Sequence, residues 1–253
     1  MTKFAHVLIT GASSGIGEAL ALYYAANGAE RLSLCGRNEE RLLQTAEACK
    51  KSGCLVTTKI LDVTDEKAVA EWIEECNAEQ PLNLVFANAG VASVTETSEN
   101  IRQTFKTNVF GVINTVLPAI KLFKKAPSEQ IKHIVITSSI AGYHGLPACP
   151  SYSASKACVK AWGESLRLAL QPLGINVSTI CPGFVRSRIT DKNTCPMPFF
   201  MEADQAARII AERVEKNVGL IAFPWQMRLA VWLGSILPNC VSDFIYSRLP
   251  YKV

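Results

Sequence analysis

The chain has 253 residues, of which 49% are hydrophobic and 19% charged, so it can bury a large core and is not expected to be disordered. Its net charge is only +4, and no run of Lys and Arg resembles a nucleic-acid-binding arm. We therefore expect a folded protein with no nucleic-acid partner.

Nine cysteines lie at positions 35, 49, 54, 76, 149, 158, 181, 195 and 240. Their number is odd and no two form a C-x-x-C pair, so they indicate neither a disulfide framework nor a metal site. The N-terminal sequence runs directly into a strand-like segment without the pattern of a signal peptide, and no apolar run reaches the ~18–20 residues of a membrane-spanning helix. We expect a protein of the reducing cytoplasm.

Short apolar, β-branched segments alternate with segments of helical period along the whole chain. The predicted strands cover residues 6–10, 31–35, 55–61, 82–87, 133–138, 175–180 and 219–223. Helical segments between them include residues 15–28, 39–51, 65–79 and 152–172. This alternation predicts an α/β fold, a doubly wound Rossmann-type parallel sheet of about seven strands with helices on both faces. Residues 1–253 contain no repeat or linker and are expected to form one domain.

A glycine-rich turn, TGASSGIG at residues 10–17, joins the first predicted strand to the first helix. Glycine allows a tight turn and lets main-chain N–H groups approach a pyrophosphate, towards which the helix presents its positive end. An ordinary strand-to-helix turn is the alternative, because the spacing is only a variant of the dinucleotide fingerprint. We expect cofactor binding by Gly11, Ser13, Ser14, Gly15, Ile16 and Gly17.

The residue after the second strand predicts which dinucleotide binds. An NAD site typically has an acidic residue there, which accepts hydrogen bonds from the ribose. This chain has Arg37 instead, and a guanidinium can bind a 2′-phosphate of about −1.5 to −2 charges. We expect NADP(H) rather than NAD(H), with a solvated Arg37 ahead of a helix as the alternative. Arg41, one turn further on, is expected to be only a surface charge.

Two further strand ends fit the adenosine half of a dinucleotide. Asp62 and Val63 follow the third strand, where a carboxylate can accept from the adenine amino group. Asn88, Ala89 and Gly90 follow the fourth, where small residues let a nucleoside approach the backbone. Both segments are equally compatible with plain turns.

Tyr152 and Lys156 lie four residues apart, so on a helix they share a face with Cβ atoms about 5–6 Å apart. Ionising a tyrosine of pKa near 10 at neutral pH costs about 4 kcal/mol. An ammonium ~5 Å away at an effective dielectric of ~20 offsets roughly 3 kcal/mol of that cost. The pattern favours a tuned phenol over an aromatic and a charge that merely share a helix surface.

Five motifs together resemble the short-chain dehydrogenase/reductase family, in its single-domain branch, over residues of about 5 to 190. They are TGASSGIG at 10–17, NAG at 88–90, ITSS at 136–139, YSASK at 152–156 and PG at 182–183. The resemblance implies that Tyr152 is the general acid/base and that Lys156 lowers its pKa and holds the nicotinamide ribose. Ser139 would position the substrate oxygen, with Ser138 as its rival. The resemblance also extends the cofactor site to Pro182, Gly183, Val185 and Ser187.

The resemblance further implies that Asn108 holds a water linking Lys156 to solvent; a kink in the helix is the alternative. Ala87 departs from the family pattern, where another Asn is common, which puts a sheet-stabilising role in doubt. Ser187 replaces a frequent Thr. A homodimer or homotetramer is expected, with contacts through helices around 105–125 and 152–172.

Two apolar segments lie outside these motifs. Residues 188–203, here called the lid segment, carry Met197, Phe199, Phe200 and Met201 and predict either a cover for a lipophilic substrate or a loop docked on the core. Residues 224–253, the tail, have apolar residues at helical spacing flanked by Arg228, Arg248 and Lys252. The tail is expected to pack on its own domain, to contact another subunit or to lie peripherally on a membrane.

These features predict an NADP(H)-dependent oxidoreductase that interconverts a carbonyl and a secondary alcohol. The substrate is expected to be a lipophilic small molecule. An NAD(H)-preferring dehydrogenase is one alternative. A non-catalytic NADP(H)-sensing protein is another, although it has no need of Tyr152, Lys156 and Ser139 together. A sugar-nucleotide epimerase or dehydratase usually needs an added domain, and little sequence follows residue 220.

Overall fold

The computed structural model describes residues 2–93, 95–193 and 196–248. Within them seven strands form one sheet in the order β3-β2-β1-β4-β5-β6-β7, and every neighbouring pair is parallel. The strands are β1 His6–Thr10, β2 Arg31–Gly36, β3 Leu55–Ile60, β4 Leu84–Ala87, β5 His133–Thr137, β6 Asn176–Pro182 and β7 Leu220–Phe223. The predicted doubly wound parallel sheet is confirmed.

The helices connect these strands and continue beyond the last one. They are α1 Gly15–Ala26, α2 Glu39–Lys50, α3 Glu66–Glu79, α4 Ser98–Phe105, α5 Gly111–Lys125, α6 Pro150–Leu170, α7 Ala203–Glu215, α8 Trp225–Ile236 and α9 Asn239–Tyr246. A π-helical turn, Lys106–Phe110, joins α4 to α5. Short 3₁₀ turns cover Ile140–Gly142, Gln171–Leu173 and Thr190–Lys192.

Successive residues of β1 point to opposite faces of the sheet and are buried on both. Val7 and Ile9 belong to an apolar cluster that contains side chains of α1, α2 and α7. Leu8 belongs to a second cluster with side chains of α3, α5 and α6. All three residues are completely buried. The uninterrupted apolar run at residues 7–9 is what a strand covered on both faces requires. The predicted helices on both faces of the sheet are thus confirmed.

The strand order reverses between β1 and β4. From β1 the sheet proceeds to β2 and β3, and from β4 it proceeds the other way to β5, β6 and β7. Loops leaving the carboxyl ends of β1 and β4 therefore diverge, and a crevice opens between them. This crevice is where the glycine turn and the predicted catalytic residues are expected to meet.

The described part of the tail forms two helices, α8 and α9, and no side chain of α8 is buried. Large apolar side chains of the tail are exposed at Trp225, Leu229, Trp232, Leu233, Ile236, Val241, Phe244 and Ile245. Of the three uses considered, packing on its own domain is thus wrong for most of α8. Met227 is an exception, because its sulfur lies 2.9 Å from where a Cβ on Gly183 would stand. Lys252 lies outside the described residues.

Within the described ranges, no helix combines the length and the apolar character needed to cross a lipid bilayer.

Candidate active site

A cleft of about 560 Å³ opens beyond the carboxyl ends of the central strands. It brings together most of the residues that the sequence predicted. Those lining it are Gly11, Ser13, Ser14, Ile16, Arg37, Asp62, Val63, Asn88, Ala89, Gly90, Ser139, Tyr152, Lys156, Pro182, Gly183, Val185 and Ser187. Gly15, Gly17 and Asn108 are absent from the lining, and each lies directly behind it.

The glycine turn is shaped by close contacts of its own backbone. Gly15 has φ +59° at the start of α1, a left-handed conformation that favours glycine. A Cβ on Gly17 would lie 2.3 Å from the carbonyl oxygen of Gly11 and 2.6 Å from Nδ2 of Asn88. Ser14 occupies the N-cap position of α1 but its side chain makes no capping hydrogen bond. The helix therefore begins with donors directed at the cleft, the arrangement that binds phosphate groups.

Asn88 joins the ends of three strands. Its Nδ2 donates to the carbonyl of Thr10 at 3.1 Å, and its backbone N donates to the Thr10 hydroxyl at 3.0 Å. On the other side Thr137 donates to Oδ1 of Asn88 at 3.3 Å. These contacts tie β1, β4 and β5 together beside the cleft. The sheet-stabilising role that Ala87 cannot fill is thus filled by Asn88, with two threonines that the sequence did not single out.

Three guanidinium groups line the adenosine side and rim of the cleft. Nη1 of Arg37 lies 3.6 Å from Oδ2 of Asp62. Arg41 also lines the cleft, and its Nε is buried without a hydrogen-bond partner among the described residues. The prediction that Arg41 is only a surface charge is wrong, because the first turn of α2, capped by Asn38, carries it back over the cleft. Arg188, which the sequence argument did not use, lines the cleft directly after Ser187.

Lys156 is buried in the floor of the cleft. Its Nζ donates to the carbonyl oxygen of Thr137 at 2.9 Å and lies 5.8 Å from the centroid of the Tyr152 ring. Burial lowers the pKa of Lys156 to about 8 and raises the pKa of Tyr152 to about 12, because loss of water disfavours the charged form of each group. The pKa of Tyr152 thus stands above its ordinary value, not below it as expected, and at neutral pH the pair is a phenol beside an ammonium.

The structure distinguishes the two candidate serines. The Ser139 side chain acts to lower the pKa of Tyr152, against the larger effect of burial, so it lies near the phenol, and its hydroxyl donates to the Pro182 carbonyl at 3.4 Å. The backbone N of Ala141 donates to the same Oγ at 3.1 Å and holds it in place. Ser138 is buried, and its hydroxyl donates to the backbone carbonyl of Lys156 at 2.7 Å. Ser139 is therefore the serine available to a bound substrate.

Asn108 lies in the π-helical turn and is completely buried. Its Oδ1 accepts from the backbone N of Val91 at 2.8 Å, and its Nδ2 donates to the Val91 carbonyl at 2.9 Å and to Oγ of Ser155 at 3.0 Å. Ser155 in turn donates to the backbone carbonyl of Tyr152 at 2.7 Å. Both amide hydrogens of Asn108 are thus used to hold the loop after β4 and the first turn of α6. The π-helical turn between α4 and α5 is the distortion that the alternative interpretation expected, and the water link to Lys156 stays a prediction.

The lid segment is attached to the sheet at its end. The backbone N of Arg186 donates to the carbonyl of Met201 at 2.9 Å, and Met201 packs against the core. Phe199 and Phe200 remain 53% and 37% exposed. The interpretation of a loop docked on the core therefore holds for Met201 and not for the two phenylalanines. Thr194 and Cys195, within the predicted lid segment, lie outside the described residues.

The sheet order and the cleft at its reversal point define a Rossmann-type α/β protein. The sequence model of the family described as short chain dehydrogenase matches residues 5–196. An uncharacterized oxidoreductase from Myxococcus xanthus is 37% identical over 250 residues, which cover 96% of each chain.

Solved structures of short-chain dehydrogenases have the same fold as this chain. A short-chain dehydrogenase from Sphingobium yanoikuyae in complex with NADPH superimposes with a TM-score of 0.78 at 26% identity, covering 92% of this chain and 96% of that one. A short chain dehydrogenase/reductase from Burkholderia phymatum in complex with NAD gives 0.82 at 24% identity, covering 97% and 95%. The chain belongs to the short-chain dehydrogenase family.

Replacing Gly17 by Ala places a methyl group against the Gly11 carbonyl at 2.3 Å, so the turn must move away from the cleft. We expect the affinity for NADPH to fall by about tenfold or more and the melting temperature to drop. Gly145→Ala is the matched control, because no atom lies within 4 Å of the added carbon there. Fluorescence titration with NADPH and thermal melts test this; equal affinities in both variants would contradict it.

Proposed function

We propose that this protein is an NADP(H)-dependent oxidoreductase that reduces a lipophilic carbonyl compound to a secondary alcohol and can run in reverse. The observation that carries the proposal is the arrangement of Tyr152, Ser139 and Lys156 in the floor of one cleft. A phenol and a serine hydroxyl that face the same point suit a single carbonyl oxygen. Membership of the short-chain dehydrogenase family supports the same activity.

The described residues fit a bound NADP(H). The glycine turn and the unengaged Ser14 side chain suit the pyrophosphate. Arg37 and Arg41 suit a 2′-phosphate, since the buried Nε of Arg41 has no described partner and an added anion would satisfy it. Asp62, beside Arg37, is held by the backbone N of Thr64 and by that ion pair, so its charge is partly compensated. When bound, the reduced nicotinamide supplies a hydride to the carbonyl carbon.

The chain's own residues then handle the proton. Ser139 holds the carbonyl oxygen by a hydrogen bond, and Tyr152 gives its phenolic proton to that oxygen as negative charge develops there. The product is an alcohol, and the phenol becomes a phenolate. The ammonium of Lys156, anchored on the Thr137 carbonyl, stabilises the phenolate charge until the proton is replaced from solvent.

Burial leaves the resting site in the protonation state that the reductive step uses. With its pKa raised to about 12, Tyr152 holds its proton throughout the physiological range and is ready to donate it. Oxidation of an alcohol needs the phenolate instead, which the same burial disfavours. The protonation state of the resting site is therefore that of a proton donor.

We propose a lipophilic substrate because of apolar side chains on the lid segment and α8, outside the lining of the cleft. Phe199 and Phe200 of the lid segment are exposed, with Arg186 over the Phe200 ring, and Met227 of α8 lies close to Gly183, which lines the cleft. Covering exposed apolar side chains with an apolar ligand lowers the free energy of the complex.

We also propose that residues 1–253 act as one domain in the cytoplasm and assemble as a homodimer or homotetramer. Exposed apolar side chains at Phe110, Leu117 and Leu168 support a subunit contact on the face formed by the π-helical turn, α5 and α6.

Tyr152→Phe removes the proton donor while keeping the ring. We expect the turnover of carbonyls with NADPH to fall by about 10²–10⁴-fold with little change in NADPH affinity. The assay is loss of NADPH absorbance over a panel from small polar ketones to long-chain 3-oxoacyl esters and steroids. Tyr143→Phe is the control, because burial also raises the pKa of Tyr143 to about 12 but that residue does not line the cleft. Turnover surviving in Tyr152→Phe refutes the mechanism.

Arg37→Ala should discriminate the two cofactors. Loss of a charge-assisted contact to the 2′-phosphate is expected to weaken NADPH binding about 10–100-fold. NADH binding should change little, because NADH has no 2′-phosphate for Arg37 to contact. Arg102→Ala on the exposed face of α4 is the control. Equal loss of affinity for NADPH and NADH would show that Arg37 does not contact the 2′-phosphate.

A further inference from the structure

The catalytic helix α6 begins without a cap of its own. The side chain of the N-cap residue Cys149 caps no backbone N–H, although its Sγ lies 3.7 Å from the Ser153 hydroxyl, and Pro150 has no N–H. The first N–H bonded in the helical pattern is that of Ser153, which donates to the Cys149 carbonyl at 2.9 Å. The N–H groups of Ser151 and Tyr152 therefore need partners from elsewhere, and Tyr152 is the proposed proton donor.

Glu96, in the loop after β4 and 55 residues earlier in the chain, is the partner of the Ser151 N–H. The Ser151 hydroxyl donates to Oε1 of Glu96 at 2.8 Å, and the Ser151 backbone N lies 3.3 Å from both carboxylate oxygens. Ser151 is buried, with 6% of its surface exposed. A carboxylate at a helix N-terminus is stabilised both by these charge-assisted bonds and by the helix dipole.

The contact lies one residue from the reacting phenol. On the carbonyl side Tyr152 is held by Ser155, which Asn108 holds in turn. On the amide side the neighbouring Ser151 is held by Glu96. Two residues outside α6 thus hold its first turn, Asn108 on the carbonyl side of Tyr152 and Glu96 on the amide side. Glu96 belongs to the loop that follows β4, and Asn108 contacts that loop at Val91. A displacement of ~1 Å at a reacting group can cost about 10²-fold in rate.

We propose that Glu96 is a positioning residue for catalysis: it orders the first turn of α6 and so aims the Tyr152 phenol at the substrate oxygen. Glu96 does not line the cleft and takes no part in proton transfer. The inference rests on the proposed function for its effect on turnover, whereas its effect on the order of the helix is independent of that function. No sequence motif points to Glu96, because its contact with Ser151 exists only in the folded chain.

The test compares Glu96→Ala with Glu96→Gln. The alanine variant loses every acceptor for Ser151, and we expect kcat for carbonyl reduction to fall about tenfold with the NADPH dissociation constant changed by less than about twofold. The glutamine variant keeps an acceptor oxygen and should recover kcat to within about threefold of the wild-type protein. Glu99→Ala, an exposed carboxylate three residues further on, should leave kcat unchanged.

Two further measurements separate positioning from a loss of folding. In a double-mutant cycle, Glu96→Ala combined with Ser151→Ala should be no slower than Glu96→Ala alone, because Ser151→Ala removes only the hydroxyl part of a contact that Glu96→Ala removes completely. Hydrogen exchange of a peptide spanning residues 151–155 should be faster in Glu96→Ala, a readout that requires no enzymatic activity. Melting temperatures confirm that all variants are folded at the assay temperature.

An unchanged kcat in Glu96→Ala overturns the proposal, and so does a weakened NADPH affinity with kcat preserved, which would indicate support of the cofactor loop only. Additive losses in the double mutant overturn it as well. If the wild-type protein reduces no carbonyl in the panel, the proposed function fails, and the exchange measurement still decides whether Glu96 orders the helix.

Discussion

The burial of Lys156 and the partial burial of Tyr152 are the constraint on which the rest of the site depends. Burial disfavours both the phenolate and the ammonium, so the pKa of Tyr152 rises to about 12 and that of Lys156 falls to about 8. The remaining contacts compensate for this cost. The Thr137 carbonyl accepts from Lys156, and the nearby Ser139 side chain acts to lower the pKa of Tyr152. The outcome is a protonated phenol beside a buried ammonium, which the proposed mechanism uses as proton donor and stabilising cation.

Such burial requires α6 to lie unusually close to the sheet. A Cβ on Gly142 would stand 2.8 Å from the backbone carbon of Lys156, so the 3₁₀ turn after Ser139 packs backbone against backbone with the helix. Further along, a Cβ on Gly163 would stand 2.3 Å from Oγ1 of Thr179 in β6. These close approaches bring the end of β5 to the phenol. Glycine at these positions thus permits the close packing of α6 that the proposed mechanism needs.

Much of the architecture was predictable, because it depends on patterns local to the sequence. The period of apolar residues predicted all seven strands, and the glycine turn predicted where the crevice opens. Boundaries shifted by one or two residues; the strand predicted at 82–87, for example, begins at Leu84. Most predicted cofactor residues line the cleft because the carboxyl ends of parallel strands meet at one edge.

What the sequence did not predict depends on contacts between distant segments. The return of Arg41 to the cleft follows from the direction of the first turn of α2. The raised pKa of Tyr152 follows from burial, whereas the sequence analysis considered only the attraction between Tyr152 and Lys156. Glu96 meets Ser151 only because the loop after β4 crosses the start of α6. The exposure of α8 was also unexpected, since helical spacing of apolar residues indicates a face but not what covers it.

The pH dependence of hydride transfer tests the central claim most directly. It is measured in single turnovers with saturating NADPH and the carbonyl that the protein reduces fastest. Since Tyr152 stays protonated while Lys156 loses its charge above about pH 8, the account predicts a constant rate at lower pH and a fall of about tenfold per unit well above it. In Lys156→Met, which lacks the charge at every pH, the rate should be low throughout and show no fall near pH 8. A rate that rises with pH through this range would mean that Tyr152 reacts as a phenolate and would contradict the account.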